Sequence, residues 1–522
     1  MKRTQLVSPG SVARLLKTSG EAWDRKDFQQ CIDLLERASR LDPANATVLL
    51  RLGRCYGLRC DYAAAERCLE KAVRVAPKKT ETLALAAEMS TVFPNQQLAE
   101  RYYQRALEQK DAPPEAFVGL AEICERRNGL EDAAALVDRA LQLDGGCGLA
   151  LLARARLDRQ AGRLDSAEKA VRSLLAQPDP GFQESAPRNT RIRGWYELGA
   201  ILDRQKRFED AMAAFLQAKS MLRLHAGQRL VDLKASRACI RMVAETISAD
   251  VLQRWFECGA QLGPVRRMAL LGGHPRSGTT LLEQVLDSHP DIVSAEETDV
   301  FHDDVYPPLT RNLQKDQPLL AALDSAPLVV LQQARESYFR SMESFLGQAI
   351  GGRLLIDKNP SLSLLIPCLA RVFPEMKILV ALRDPRDVCL SVFMQPLLPL
   401  GRTGSAYLSL DSTVDEYAAV MSLWRTLKPI LRNACLEVRY EDMVGDLESV
   451  ARRTLDFLGV PWDTRVLRFD EHARQKTVRS PTYADVTKPV FKTAVGRWRH
   501  YQKYLEPYLI KLEPFVKAFG YE

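Results

Sequence analysis

The stretch MALLGGHPRSGTTLLEQVL, residues 268–286, joins an apolar run to a glycine-containing turn and an apolar helix pattern. From Gly273 it reads G-x-x-x-x-G-T-T, the spacing of a phosphate-binding loop with Thr279 in the position of the usual lysine. Gly278 allows the backbone to turn tightly, so that loop amides and the N-terminus of the next helix face an anion. The stretch therefore predicts a strand, an anion-binding loop and a helix in succession.

Further apolar runs follow this stretch, each separated from the next by a helical segment: LLID (354–357), KILVAL (377–382) and LEVRY (436–440). Strands of this kind alternating with helices predict a parallel sheet with helices on both faces. Ligands of such sheets bind at the carboxyl ends of the strands. We therefore expect the functional residues to lie directly after these runs.

The first half of the chain repeats itself with a period of 34 residues. Small residues recur at this spacing in two series, Ala65, Ala99, Ala133 and Ala167, and Ala38, Ala72, Ala106 and Ala140. In the clearest unit Gly53 faces Ala65, where two antiparallel helices need small side chains to cross closely. After an insertion at 177–190, Gly199 and Ala211 hold the same relative positions. The pattern is typical of a tetratricopeptide superhelix.

These observations predict a mixed fold class in three parts. An all-α tetratricopeptide superhelix of about six repeats occupies residues 1–225, and a helical linker covers 226–264. A phosphate-loop-type α/β domain with a parallel sheet covers 265–522.

Composition limits the function classes. The chain has 522 residues, a formal net charge of +7, and 46% hydrophobic and 27% charged residues, which suits a multidomain globular protein better than a nucleic-acid binder. The N-terminus has no apolar signal region, and no stretch approaches the length of a membrane span. The eleven cysteines form no C-x-x-C pair. We expect a cytoplasmic protein with reduced thiols and with no nucleic-acid or membrane partner.

The loop and the run at 377–382 together resemble the sulfotransferase superfamily. P-R-S-G-T-T-L is similar to that family's 5′-phosphosulfate loop, and KILVALRDPRDVCLSVF supplies an arginine at a strand end with a serine eight residues later, as in its 3′-phosphate element. With the repeats, the resemblance is to tetratricopeptide repeat-containing sulfotransferases and, more distantly, to tyrosylprotein sulfotransferases, over roughly residues 265–500. It implies 3′-phosphoadenosine 5′-phosphosulfate as the donor. No metal is needed in principle, because arginine, lysine and backbone amides can meet the charge of such a donor.

The resemblance also implies which residues hold the donor. Thr482 stands where the tyrosylprotein enzymes have serine, and Arg497 where they have lysine. The implied donor-binding residues are Arg276, Ser277, Gly278, Thr279, Thr280, Arg383, Ser391, Tyr440, Thr482, Lys488 and Arg497.

Sulfuryl transfer resembles phosphoryl transfer, so the site needs a base for the acceptor hydroxyl and cations near the leaving oxygen. Glu296 and Glu297 follow the helix after the loop, near the head of the next strand. The resemblance favours Glu297 as the catalytic carboxylate, with Glu296 as the alternative. It assigns Lys358, in IDKNP, to the bridging oxygen, and Arg276 shares that catalytic role.

A histidine base is the main mechanistic rival, because cytosolic small-molecule sulfotransferases use one. His274 and His289 lie near the site, but neither is in the matching register, and Pro290 indicates a helix-end role for His289.

Two other functions remain open. The first is a phosphate-loop kinase or nucleotide triphosphatase, with Asp384 imitating a magnesium-binding aspartate; the missing loop lysine argues against it. The second is a non-catalytic repeat adaptor. The acceptor cannot be predicted, whether peptide tyrosine, carbohydrate or small molecule. The repeat groove suits a protein or peptide partner. If it presents the acceptor, deleting residues 1–225 should raise the acceptor KM.

Overall fold

Helices dominate the N-terminal part of the chain, and a parallel sheet follows. The computed structural model describes residues 9–24, 27–76, 78–91, 93, 96–178, 189–311, 318–397, 402–475 and 493–521. The chain divides into two units, residues 1–160 and 161–522. In the described ranges no helix is both long enough and apolar enough to span a membrane. All eleven cysteines are free thiols.

The first unit is a succession of helical hairpins. Its helices are α1 (Pro9–Asp24), α2 (Phe28–Leu41), α3 (Ala46–Leu58), α4 (Tyr62–Val75), α5 (Lys79–Ser90), α6 (Gln97–Leu107), α7 (Pro114–Arg126), α8 (Leu130–Leu143) and α9 (Gly148–Gln160). The predicted crossing is confirmed, because a Cβ at Gly53 would lie 2.9 Å from Leu69 and 3.2 Å from the Ala65 carbonyl oxygen. Packing of small residues therefore sets the distance between α3 and α4.

Side-chain caps begin some of these helices, and a left-handed residue follows the end of some. Asn45 accepts a hydrogen bond from the Val48 amide at 3.2 Å, and Asp61 accepts one from the Ala64 amide at 2.9 Å. At the turn inside a hairpin, Cys60 has a φ of 61°. This left-handed position closes the first helix so that the second can fold back on it.

The second unit begins with helices that precede the sheet. They are α10 (Leu164–Leu175), α11 (Thr190–Arg204), α12 (Phe208–Arg223), α13 (Gly227–Thr246) and α14 (Ala249–Glu257), followed by a 3-10 turn (Cys258–Leu262). The α11–α12 hairpin has the predicted repeat packing, because a Cβ at Gly199 would lie 2.6 Å from the Phe215 ring. The predicted linker at 226–264 contains α13 and α14.

The sheet has five parallel strands in the order β2-β3-β1-β4-β5. The strands are β1 (Met268–Gly273), β2 (Ile292–Glu296), β3 (Leu354–Lys358), β4 (Lys377–Leu382) and β5 (Cys435–Arg439). The apolar runs correspond to β1, β3, β4 and β5, which confirms the predicted parallel sheet. None of the four apolar runs identified in the sequence corresponds to β2.

Helices lie between and after the strands. They are α15 (Thr279–Asp287), α16 (Tyr306–Thr310), α17 (Leu319–Asp324), α18 (Leu328–Leu346), α19 (Ile366–Val372), α20 (Pro385–Phe393), α21 (Arg402–Ala406), α22 (Leu410–Leu427), α23 (Tyr440–Gly445), α24 (Leu447–Leu458), α25 (Phe469–Gln475), α26 (Gln502–Leu505) and α27 (Leu509–Ala518). A π-helix covers Phe301–Val305, and 3-10 turns cover Pro360–Leu365, Thr464–Arg468, Arg497–Tyr501 and Glu506–Tyr508.

The sheet buries both of its faces. Leu270 and Ile378 point into one apolar core, and their chain neighbours Leu271 and Leu379 point into the other. Side chains of a strand alternate between faces, so helices must cover both, as predicted. This arrangement leaves the carboxyl edge of the sheet as the place where polar loop residues converge.

Candidate active site

The loop after β1 depends on two glycines. Gly273 has a φ of 124°, and a Cβ there would lie 2.5 Å from the Ala381 carbonyl oxygen. Gly278 has a φ of 95°, and a Cβ there would lie 2.7 Å from the Tyr440 ring. Both positions therefore require glycine for conformation and for space. Gly278 is also the N-cap of α15 and has no side chain to cap it, so the positive end of this helix opens onto the loop.

The hydroxyl-bearing residues of the loop are shielded from solvent. Ser277, Thr279 and Thr280 are all buried. Arg276 has a φ of 74°, a left-handed conformation that is uncommon for a residue with a side chain. Its guanidinium is thereby directed toward α20, where Nε donates a hydrogen bond to Ser391 Oγ at 3.1 Å.

Arg383, the residue that follows β4, ties this loop to the neighbouring strands. One of its guanidinium nitrogens donates to the Arg276 carbonyl oxygen at 3.2 Å, and the other donates to the Ala494 carbonyl oxygen. The guanidinium lies 4.9 Å from the centre of the Tyr440 ring. Arg383 Nε is buried and has no hydrogen-bond partner among the described residues. The structure thus brings Arg276, Arg383, Ser391 and Tyr440 together around one loop.

A second polar group lies at the ends of β2 and β3. Lys358 is fully buried, and its ammonium group faces three carboxylates. Its Nζ lies 2.9 Å from Glu297 Oε1, 3.3 Å from Glu296 Oε1 and 3.5 Å from Glu283 Oε2. Burial by itself lowers the pKa of Lys358, but the carboxylates of Glu283, Glu297 and Glu296 outweigh it and raise the pKa above its usual value. Lys358 is therefore a cation at neutral pH.

The two candidate carboxylates have different environments. We expected Glu296 near the head of a strand, but it is the last residue of β2, paired in register with Lys358. The prediction was wrong because β2 is a short strand with a polar end. The Glu297 side chain is 46% exposed and that of Glu296 is 5% exposed. Glu297 also has a φ of 49°, and its amide donates to the Lys358 carbonyl oxygen at 2.7 Å. Only Glu297 combines contact with Lys358 and access from solvent.

The histidines near the loop are engaged elsewhere. His274 is buried, with Nδ1 2.9 Å from the Pro275 carbonyl oxygen and Nε2 3.3 Å from the Tyr407 hydroxyl. His289 Nδ1 accepts from the Asp291 amide at 3.0 Å, and Nε2 lies 2.9 Å from the Pro461 carbonyl oxygen. His289 directly follows the last turn of α15, as expected for a helix-end residue.

Other candidate residues lie outside these two groups. Arg497 forms an ion pair with Asp203 Oδ2 at 2.7 Å, and it also contacts Met394 Sδ at 3.7 Å. Thr482 and Lys488 lie outside the described residues. Their assignment to the donor stays a prediction.

Sequence reasoning missed two acidic residues of this region. Glu283 is on the buried face of α15, and its carboxylate accepts from Ser294 Oγ at 2.8 Å. Asp387 accepts from the Gly496 and Trp498 amides at 2.7 and 2.8 Å. A glutamate between Leu282 and Val285 on an apolar helix face was the available signal for Glu283.

Asp384 has a structural role. It caps α20 by accepting from the Arg386 amide at 2.9 Å, and its carboxylate pairs with the Arg386 guanidinium at 2.7 Å. Among the residues that the structure describes, no group of three or more histidine, cysteine, aspartate or glutamate side chains could hold a metal ion.

Comparison with known proteins agrees with this architecture. Residues 269–464 match the sulfotransferase family, and residues 22–89, 97–146 and 152–227 match the tetratricopeptide repeat. An uncharacterized protein of Aquifex aeolicus (strain VF5) is 25% identical over 362 residues, covering 68% of this chain and 44% of the relative. Protein-tyrosine sulfotransferase A of Caenorhabditis elegans is 28% identical over 245 residues, covering 44% and 60%. The chain thus spans less than two thirds of the length of either relative.

The chain also resembles a solved structure. The sulfotransferase domain from the Synechococcus PCC 7002 olefin synthase has a TM-score of 0.36 and 22% identity, covering 49% of this chain and 96% of that one. The sequence matches and the observed sheet identify this chain as tetratricopeptide repeats followed by a domain of the sulfotransferase family.

Proposed function

We propose that the chain is a sulfotransferase that moves a sulfuryl group from 3′-phosphoadenosine 5′-phosphosulfate to an acceptor hydroxyl. The observation that carries the proposal is the convergence of two polar groups at one edge of the sheet. Arg276, Arg383 and Ser391 meet at the ends of β1 and β4, and the Glu297–Lys358 pair lies at the ends of β2 and β3. An anion site beside a paired base and cation is what sulfuryl transfer requires.

The first group fits a donor with two anionic ends. The open N-terminus of α15 and the glycine loop suit the 5′-phosphosulfate. The buried Arg383, whose Nε has no described partner, and Ser391 suit the 3′-phosphate. When bound, the donor supplies the activated sulfuryl group.

The second group fits the proton transfer. Glu297 is partly exposed and lies 2.9 Å from Lys358, so its carboxylate is placed to accept the proton of an acceptor hydroxyl. Lys358 holds this carboxylate in place from a fully buried position. Its permanent charge also favours negative charge that develops nearby, and Arg276 contributes a second cation from the loop.

The proposed acceptor is a hydroxyl group of a peptide or protein. The Caenorhabditis elegans relative, protein-tyrosine sulfotransferase A, is named as an enzyme that acts on protein tyrosine. Stacked tetratricopeptide hairpins suit binding of extended peptides or helices. The test by deletion should remove residues 1–160, because the α11–α12 hairpin belongs to the second unit. We expect a higher acceptor KM with donor affinity retained.

The residues of the site argue against the two alternative functions. A kinase or nucleotide triphosphatase needs a loop lysine, and here Thr279 takes that position while Asp384 pairs with Arg386. In a non-catalytic adaptor, burying a lysine among carboxylates would be unfavourable for folding and would serve no function.

The deciding experiment is donor selectivity. The chain should be stabilised against heat by 3′-phosphoadenosine 5′-phosphate and hardly by ATP with magnesium. Arg383→Ala should weaken the former by about 1.5–3 kcal/mol, the value of a lost charge-assisted bond. Arg267→Ala, at the opposite edge of the sheet, is the matched control and should bind normally. Equal stabilisation by both nucleotides would contradict the proposal.

A further inference from the structure

The C-terminal segment, residues 494–503, is attached from one side to the donor element, the part of the chain formed by Arg383 and α20. Asp387, on α20, accepts hydrogen bonds from the Gly496 and Trp498 amides at 2.7 and 2.8 Å. Arg383 donates to the Ala494 carbonyl oxygen. Arg383 and α20 therefore fix the backbone on both sides of Arg497.

The last tetratricopeptide hairpin holds the same segment from the other side. Asp203, at the end of α11, pairs through Oδ2 with Arg497 at 2.7 Å and accepts through Oδ1 from the Tyr501 hydroxyl at 2.6 Å. Phe208, which begins α12, stacks on His500 with ring centres 4.4 Å apart and an angle of 7°. One carboxylate of the hairpin thus determines where two side chains of the C-terminal segment lie.

This contact places Arg497 close to the donor element. The Arg497 guanidinium touches Met394 Sδ at 3.7 Å. Met394 follows α20 and is three positions after Ser391, and residues with this spacing share a helix face. The ion pair with Asp203 therefore holds a cation beside the face of α20 that carries Ser391.

The hairpin is also anchored to α20 directly. Lys219, on α12, is 2% exposed, and its Nζ lies 4.9 Å from the centre of the Phe393 ring. Its Nζ is also 3.5 Å from the Gln395 carbonyl oxygen. The hairpin and the end of α20 thus share one buried contact in addition to the contacts of Asp203.

We propose that Asp203 is a positioning residue of the donor site, and that the last repeat hairpin is a working part of the sulfotransferase unit. Asp203 fixes Arg497 beside α20 and stabilises the segment that Arg383 and Asp387 hold. The site then presents its cations to the donor's 3′-phosphate in a defined arrangement. This inference rests on the proposed function, because it requires that Arg383, Ser391 and Arg497 serve that phosphate.

The test compares two ligands that differ only in the 3′-phosphate. In the full-length chain, the dissociation constants of 3′-phosphoadenosine 5′-phosphate and adenosine 5′-phosphate are measured by calorimetry. Asp203→Asn keeps the shape of the side chain and removes its charge. We expect the preference for the 3′-phosphorylated ligand to fall roughly 10-fold, with adenosine 5′-phosphate binding unchanged.

A matched control lies in the same contact. Glu209, on α12, forms an ion pair with Lys503 in which the side chains are 77% and 55% exposed. Glu209→Gln removes a charge from the same hairpin and the same C-terminal segment, and it should leave the ligand preference unchanged. In the Arg497→Met background, Asp203→Asn should cause no further loss of preference, because the two residues act through one contact.

The outcomes separate the inference from the proposed function. If the unaltered chain shows no preference for the 3′-phosphate, the proposed function fails and the inference fails with it. If the unaltered chain has the preference and Asp203→Asn keeps it, only the inference is wrong. Equal weakening of both ligands would also overturn it, because that is the result of a purely structural role. Should Asp203→Asn fold poorly, Arg497→Met alone must reproduce the selective loss.

Discussion

Exposed ion pairs between repeat hairpins are arranged differently from the buried charges at the edge of the sheet. In the first unit, Arg101 pairs with Glu66 at 2.8 Å, and Arg127 pairs with Glu100 at 2.7 Å. Each of these pairs joins one cation to one carboxylate of a neighbouring hairpin. At the edge of the sheet one buried ammonium group, that of Lys358, faces three carboxylates.

This difference distinguishes charges that align neighbouring helices from charges that take part in a functional site. Exposed one-to-one pairs contribute little to stability, and their value is in fixing how neighbouring hairpins stack. A buried cluster with an excess of carboxylates is unfavourable for folding, so its presence indicates a functional site.

Backbone conformation gives the same contrast. The left-handed residues Cys60 and Asn128 close helices at hairpin turns, where this conformation is common. Arg276 and Glu297 are left-handed outside helix ends, at the two groups of the candidate site. Strain of this kind, about 1–3 kcal/mol per residue, persists where the surrounding structure imposes it for function.

The largest expected effect is on turnover. Glu297→Gln should lower kcat roughly 10²–10⁴-fold, because the amide cannot accept the acceptor's proton. Binding of 3′-phosphoadenosine 5′-phosphate should be nearly unchanged, which serves as the folding control. The opposite result would be normal turnover in Glu297→Gln and reduced turnover in Glu296→Gln. It would mean that the buried carboxylate of Glu296 is the base, and that exposure to solvent does not identify the base.

The next effect is on stability. Lys358→Met removes a buried cation that lies 3.5 Å from the Glu283 carboxylate and 2.9 Å from that of Glu297, so the buried Glu283 carboxylate loses an ionic interaction. We expect the free energy of unfolding in urea to fall by about 3–5 kcal/mol. Adding Glu283→Met should recover part of the loss. Lys428→Met, which breaks an ion pair with Glu437 in which the lysine is 51% exposed, should cost less than about 1 kcal/mol.

Lys219 is the opposite case, a buried cation without a carboxylate partner among the described residues. Burial lowers the pKa of Lys219 to about 7, from 10.5 for an ordinary lysine. Above pH 7 the native chain therefore binds fewer protons than the unfolded chain, and its stability should rise with pH up to about 10. Lys219→Met should remove this rise and stabilise the chain at pH 7 by about 1–3 kcal/mol.

Thermal midpoints recorded between pH 6 and 10 check this prediction. Lys517→Met, at a side chain that is 74% exposed, is the control and should keep the rise. A pH profile that is the same in Lys219→Met and in the unaltered chain would show that Lys219 is not the titrating group.

The smallest effect belongs to the repeat hairpins. Arg101→Met breaks an exposed pair with Glu66, in which the side chains are 58% and 41% exposed. The free energy of unfolding should change by less than about 0.5 kcal/mol. A loss as large as that expected for Lys358→Met would remove the contrast between the two regions.

The sequence predicted the parts of the fold that depend on local patterns. Repeat spacing predicted the hairpins, and apolar runs predicted four of the five strands. It did not predict β2, because Ser294 and Glu296 are polar residues whose buried partners come from α15 and β3. A pattern of apolar residues cannot identify a strand whose polar groups are satisfied by distant elements.

The candidate site was predictable to the same extent. The loop, Arg383 and Ser391 follow apolar runs at fixed spacing, and the structure brings them together. The ion pair between Arg497 and Asp203 was not predictable, because it joins residues from opposite ends of the second unit. Contacts of that kind depend on how helices dock and not on any local motif.

The docking of the last hairpin has a consequence for how this chain can evolve. Repeat arrays gain and lose units readily because each unit normally contacts only its neighbours. Here the hairpin of α11 and α12 is bonded through Asp203 to Arg497, so exchanging or duplicating it would disturb a distant segment. Related chains should therefore differ in array length and inherit the final hairpin together with the sheet.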